Sequence, residues 1–221
     1  MKDIPCTPGA RRIRAMVAQG EHQNQDFKYA VSDARKIARS VSAFANRDGG
    51  RLLIGVKDNG AIAGVRTDED ASLVETAAEI YCRPSVPVSF HAYSVDTDVR
   101  VVVAEIAPAR RRPVYAPAPD GTWRAYYRVA DENIAACPLM VGAWERRAGG
   151  TPLILGSRHG ALLDILSQCG EMEADSRRIA LALHAPESIA AETAIELAAA
   201  GAITFRHSRE GFAIVRADAP V

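Results

Sequence analysis

The chain has 221 residues, four cysteines and equal numbers of basic and acidic side chains, 27 of each. The cysteines are scattered singly, without C-x-x-C spacing, which argues against a disulfide scaffold and against a zinc site. No segment approaches the ~18 continuous apolar residues of a membrane helix and the N-terminus lacks the apolar run of a signal peptide, so we expect a cytoplasmic protein with no membrane partner.

The zero net charge is unevenly distributed along the chain. Residues 1–48 hold nine Lys/Arg against five Asp/Glu, whereas residues 171–221 hold five against eight. An anionic partner is therefore expected to be attracted to the N-terminal part of the chain.

The most informative stretch is residues 26–65. Residues 26–28 are predicted to form a strand, and residues 31–45 a helix, because apolar side chains recur there with a 3.6-residue period. Gly49-Gly50 is predicted to end the helix, since glycine tolerates the left-handed conformation of a C-terminal cap.

The opposite face of this helix is basic. It carries Arg35, Lys36 and Arg39, and Lys28 precedes it in the strand. Such side chains neutralise phosphates without reading bases, which predicts a surface that binds DNA or RNA, extended by the upstream Arg11, Arg12 and Arg14. The alternative interpretation is a solvated helix face.

A buried strand is predicted from Leu52, followed by a hairpin that turns at Asp58-Asn59-Gly60. A second helix is predicted over residues 68–82. Strands dominate afterwards, with a hairpin around Asp96-Thr97-Asp98 and further strands near residues 113–116 and 123–129. These elements predict an α+β fold, a mixed sheet with flanking helices, over residues 10–147.

Several motifs in this segment match one family. They are Glu21, Asp26-Phe27-Lys28, Ala43-Phe44-Ala45-Asn46, Gly49-Gly50, Ile54-Gly55-Val56, Asp58 and Gly64-Val65, with later matches at Pro113-Val114-Tyr115 and at 125–128. In these residues the chain resembles the Schlafen-type Alba-like domain family, whose members include proteins described as DNA-binding. Asp26 stands where the family has glutamate, and His22 where it has serine.

The resemblance also implies a candidate catalytic site. In the Schlafen ribonucleases three acids at matching positions form the active site, which here implies Glu21, Asp26 and Asp58 as catalytic residues and as ligands of Mg²⁺ or Mn²⁺. The alternative is that Asp58 serves its turn and that Asp26 pairs with a nearby base.

Arg128 lies between tyrosine-rich strand segments. It is predicted to contact a nucleotide or phosphate, with a buried ion pair to Glu105 or Asp131 as the alternative.

Residues 148–157 are predicted to form a linker, and residues 158–217 a small domain of three helices and a terminal hairpin, an order that resembles a winged helix. Its third helix presents acidic and apolar residues where groove readers present Arg, Lys, Asn or Gln. Its alanine-rich stripe predicts association instead, in a homo-oligomer such as a dimer.

The sequence thus predicts a nucleic-acid-binding protein that regulates transcription. Two alternatives stay open: a metal-dependent endoribonuclease acting on structured RNA through the three acids, and an oligomerising scaffold. Apart from Mg²⁺ or Mn²⁺ in the nuclease alternative, no cofactor is predicted.

Overall fold

The structure is a computed structural model, and it describes residues 5–65, 69–150 and 154–217. The chain divides into two compact units. The first comprises residues up to Arg110 together with Val114–Ala135, and the second comprises Arg111–Pro113 and the residues from Ala136 onward.

The first unit contains eight strands and three helices within the described residues. In chain order they are β1 (Cys6–Pro8), α1 (Ala10–Val17), β2 (Gln25–Lys28), α2 (Ala34–Ala45), β3 (Gly50–Ile54), α3 (Glu69–Ile80), β4 (Val88–Asp96), β5 (Val99–Ile106), β6 (Tyr115–Pro117), β7 (Trp123–Val129) and β8 (Glu132–Ala135).

Five of these strands form a mixed sheet in the order β1-β4-β5-β3-β2. The parallel pair β2 and β3 is connected through α2, and β3 is antiparallel to β5. The predicted α+β architecture with a mixed sheet is therefore confirmed.

The two faces of this sheet are covered by different helices. Leu52 and Ile54 of β3 belong to the core with α2 and α3, whereas Leu53 belongs to the core with Ile13 and Met16 of α1. Because alternate side chains of a strand point to opposite faces, α1 and α2 lie on opposite sides of the sheet.

A second sheet, β6-β7-β8, packs against α2. The buried Asn46 at the end of α2 joins the two, since its side chain accepts a hydrogen bond from Val114 N at 2.7 Å and donates to Val114 O at 2.8 Å and to Tyr126 O at 2.9 Å. The asparagine of the A-F-A-N motif thus attaches the second sheet to the helix.

The predicted hairpin after β3 is reduced to a tight loop. Its second arm makes only an isolated bridge, between Val56 and Ile62. Gly55 has φ +97°, and a Cβ there would lie 2.7 Å from the carbonyl carbon of Gly64. Gly55 therefore lets the backbone at Gly64 pass at a distance that no side chain at position 55 allows.

The second unit contains α4 (Pro138–Gly149), α5 (Ser157–Cys169), β9 (Glu171–Glu173), α6 (Ser176–Leu183), α7 (Glu187–Ala200), β10 (Ile203–Ser208) and β11 (Gly211–Arg216). Its sheet has the order β10-β11-β9. Helix α4 belongs to this unit and packs on α7. Of the predicted linker at 148–157, residues 151–153 lie outside the described residues.

Packing within the second unit covers the alanine-rich stripe of α7. Ala190, Ala194 and Leu197 share a core with Leu139 and Ala143 of α4. The predicted oligomer stays a prediction, and the stripe that suggested it has a partner within the chain.

Candidate nucleic-acid interface

The helix that carries the basic face, α2, is capped at its N-terminus. Asp33 caps the helix with its side chain, which accepts hydrogen bonds from Arg35 N at 2.9 Å and from Lys36 N at 3.3 Å. Ile37 and Val41 are buried on the inner side, while Arg35 and Lys36 are exposed and Arg39 is half-buried. Three cations are thereby presented on one side of a fixed helix.

A cavity of about 690 Å³ lies between α2 and the segments around β2 and β8, and we call it the β2–α2 cavity. Its basic lining residues are Lys28, Lys36, Arg39 and Arg128, and its acidic ones are Asp26, Asp33, Asp58, Asp131 and Glu132. Two of the four basic residues, Lys36 and Arg39, come from α2, and the lining as a whole has five acidic residues against four basic ones.

Arg128 is buried at the base of the β2–α2 cavity, with 1% of its side chain exposed. Its Nη2 lies 3.2 Å from Asp26 Oδ1, and its Nη1 donates to Asn133 Oδ1 at 2.9 Å. Its guanidinium carbon lies 5.0 Å from the centre of the Phe44 ring. The partner of Arg128 within the protein is thus Asp26, rather than Glu105 or Asp131, and its predicted contact with a nucleotide or phosphate stays a prediction.

Asp26 is bound by a second cation. Lys28 Nζ lies 2.7 Å from Asp26 Oδ2 and also donates to Phe27 O at 2.8 Å. Lys28 is therefore partly neutralised by a carboxylate. We expect it to attract an external phosphate less strongly than the cations of α2 do.

Glu21 lies beside Asp26 and accepts a hydrogen bond from Phe27 N at 2.8 Å. Burial raises the pKa of Glu21 above its ordinary value, and the adjacent Asp26 carboxyl raises it further, while the hydrogen bond from Phe27 opposes the shift. The shift thus reflects a partly buried carboxyl that lies next to a second carboxyl.

Asp58 is exposed in the loop after β3 and lines the same cavity as Asp26. Over the described ranges, no group of three or more His, Cys, Asp or Glu side chains is arranged to hold a metal ion. With Asp26 already neutralised by two cations, this donor set does not fit Mg²⁺ or Mn²⁺. The catalytic role of the three acids stays a prediction.

A second depression, of about 380 Å³, lies beside the first turns of α2, and we call it the α2–β6 groove. Arg35 and Arg39 line it together with Tyr81 and Trp123. These two aromatic residues were not predicted to belong to the interface, because they follow α2 by 36 residues or more and no local pattern connects them.

The basic residues of α1 do not extend this surface. Arg11, Arg12 and Arg14 are exposed, but α1 lies on the opposite face of the five-stranded sheet from α2. The structure thus separates two basic helices that the sequence had suggested as one surface.

The family model described as Schlafen, AlbA_2 matches residues 21–137, a little over half of the chain. The chain belongs to the Schlafen AlbA_2 family. The match begins at Glu21 and takes in β2 to β8, so the α2 surface and both depressions belong to the Schlafen AlbA_2 part of the chain. Membership of this family points, at a coarse level, to nucleic-acid binding.

Among solved structures, this Schlafen AlbA_2 protein is similar to the DIP2311 protein from Corynebacterium diphtheriae, with a TM-score of 0.48 and 19% identity. The similarity covers 95% of this chain and 38% of that one, so the chain spans less than two fifths of that protein. No relative is found among curated proteins. Within the described residues, none of the helices has the length and apolar character needed to cross a membrane.

Proposed function

We propose that the protein binds nucleic acid and that its main contacts are made with phosphates along the outer face of α2. The observation that carries the proposal is the set of three cations, Arg35, Lys36 and Arg39, on a capped and buried helix that borders both depressions. Contacts of this kind give affinity that depends strongly on salt and little on sequence.

Fluorescence anisotropy with a labelled oligonucleotide tests this proposal. We expect Arg35→Glu/Arg39→Glu to lower the affinity at least tenfold, because two attractive charges become repulsive. The matched control is Arg11→Glu/Arg14→Glu, which changes the net charge equally but lies on α1. Equal losses in both variants would mean that only the overall charge matters, and unchanged affinity in the first would overturn the proposal.

We further propose that the protein is a transcriptional regulator whose second unit is a winged-helix module. Its order of helix, strand, two helices and hairpin supports this, as does the position of β9 beside β11. Helix α7 is poorly suited to enter a major groove. Its Glu187 accepts a hydrogen bond from the Ser176 hydroxyl and its Glu192 is paired with Arg158. In addition, α4 packs along the helix.

The endoribonuclease alternative is tested on the same samples. Incubation of structured RNA with the protein and Mn²⁺ is expected to leave the RNA intact, since Asp26 is held by Arg128 and Lys28. Cleavage that chelator abolishes would replace the binding proposal with the nuclease.

A further inference from the structure

We propose that the α2–β6 groove accepts one unstacked nucleotide of a single strand, with its base on Trp123 and its phosphate between Arg35 and Arg39. This inference rests on the proposed function and deepens it, since it names single-stranded nucleic acid as the preferred ligand class. Sequence-tolerant binding of single strands combines these two elements, aromatic faces for the bases and cations for the backbone.

The cations and the aromatic residues of the groove are close together. The guanidinium carbon of Arg35 lies 5.4 Å from the centre of the Tyr81 ring, an arrangement that holds the charge beside an aromatic surface. Arg39 lines both the groove and the β2–α2 cavity. A phosphate backbone that follows α2 from the cavity would therefore reach the groove at Arg39.

Trp123, which also lines the groove, is contacted by Arg83 on one face of its ring. The guanidinium carbon of Arg83 lies 3.8 Å from the centre of the Trp123 ring. Arg83 is itself fixed by two backbone hydrogen bonds with Tyr115, of 2.9 and 2.7 Å. Because Arg83 covers this face of the ring, the proposed base stacks on the opposite face of Trp123.

The rim of the groove is also fixed. The loop between β6 and β7 is closed by a hydrogen bond from Ala118 N to Thr122 O at 2.7 Å. Asp120 accepts hydrogen bonds from both the backbone and the hydroxyl of Thr122, at 3.0 and 2.6 Å, and is paired with Arg124. The loop residues that line the groove are thus part of a small, internally bonded turn.

Size and chemistry select the ligand. The volume of about 380 Å³ lies within the range of sites that enclose small molecules, which suits one nucleotide rather than a duplex. Bases in a duplex are stacked on their neighbours, so only an unpaired nucleotide offers its face to an aromatic side chain.

The test compares Trp123→Leu with Trp123→Phe. Both variants keep an apolar side chain on β7, but only phenylalanine keeps an aromatic face. We expect Trp123→Leu to lower the affinity for a 12-nucleotide single strand about tenfold, as loss of one stacked base does, and to leave duplex affinity within about twofold. Trp123→Phe should retain most of the single-strand affinity. The affinities are measured separately for an RNA strand and for a DNA strand of the same sequence.

A second measurement does not depend on the stability of these variants. The chain has two tryptophans, Trp123 and Trp144, so Trp144→Phe leaves Trp123 as the sole indole. We expect the single strand to quench its fluorescence with the same midpoint as the anisotropy, and the duplex to leave it unchanged.

The outcomes separate the two proposals. If neither single strand nor duplex binds, the proposed function fails. If both bind in a salt-dependent way but Trp123→Leu weakens them equally or not at all, or Trp123 is not quenched, the function stands and the groove is not a base site. Selective loss of the RNA or the DNA strand alone supports the groove and identifies its natural ligand.

Discussion

At the scale of single residues, Asp26 and Arg128 define what the base of the β2–α2 cavity can do. Their ion pair is almost fully buried, and Lys28 adds a second cation at 2.7 Å. A carboxylate that is neutralised twice contributes to the positions of β2 and β7 more than to metal binding. We therefore interpret Arg128 as a positioning residue that fixes β2 and β7 next to the α2 surface.

This interpretation predicts that Arg128→Met destabilises the first unit by about 3 kcal/mol, because Asp26 would lose its fully buried partner and keep only the more exposed Lys28. The additional change Asp26→Asn should recover part of that loss. Urea unfolding followed by Trp123 fluorescence in the Trp144→Phe background reports on the first unit alone.

The matched control is Arg124→Met, on the same strand. Arg124 is half-exposed and paired with Asp120 in the surface loop, so its loss should cost less than about 1 kcal/mol. Equal effects of the two variants would contradict the role given to the buried pair.

The sequence located Asp26 and Lys28 correctly on a strand but did not indicate the partner of Asp26. Arg128 is 102 residues away, and its position follows from the packing of the second sheet on α2, which Asn46 and Ser42 fix through hydrogen bonds to Val114 and Tyr126. No local period carries such information.

At the scale of elements, α2 was predicted from its apolar period, but its start was not. The period extends to Val31, yet the helix begins at Ala34. The backbone N–H of Val31 donates to Asp70 Oδ1 at 2.7 Å, and Asp33 caps the helix instead. A tertiary hydrogen bond thus decides a boundary that the period alone places too early.

Helix α7 depends on a buried charge cluster. Glu196 lies 2.5 Å from Arg146 of α4, and 2.7 and 2.8 Å from Arg158 and His159 of α5. Burial by itself would raise the pKa of Glu196, but the hydrogen bonds from His159 and Arg158 and the charges of Arg146 and Arg158 outweigh it, so the pKa lies below its ordinary value.

A lowered pKa has a defined consequence for stability. The contribution of the ionised Glu196 to the free energy of unfolding is fully present above the ordinary pKa of 4.5. It is lost as the pH falls further and Glu196 becomes protonated in the folded protein. We expect Glu196→Gln to lower the stability of the second unit at neutral pH by about 2 kcal/mol and to flatten its pH dependence below 4.5.

Unfolding followed by Trp144 fluorescence in the Trp123→Phe background measures this effect. Glu192→Gln is the matched control, since Glu192 lies on the same helix but is half-exposed and is paired with Arg158 at 3.3 Å. A steep acid transition that persists in Glu196→Gln would show that other groups govern it.

At the scale of the whole molecule, the sequence predicted most of the helices and strands and the order of the C-terminal elements, because these follow from local periods, and the mixed sheet agrees with the predicted fold class. It did not indicate that α1 and α2 cover opposite faces of the sheet, since this depends on which strands lie between them. It also did not indicate that α4 packs with the second unit, where Gly142 lies against Ile195.

The binding of phosphates along α2 is tested most directly by the salt dependence of affinity. Each lost phosphate contact reduces the slope of log K against log salt by roughly 0.7 to 0.9. For Arg35→Gln/Lys36→Gln/Arg39→Gln we expect a slope about two units shallower than that of the unaltered protein. For Arg11→Gln/Arg12→Gln/Arg14→Gln, on the opposite face of the sheet, we expect the original slope. An unchanged slope in the α2 variant, or an equal reduction in both, would contradict the account.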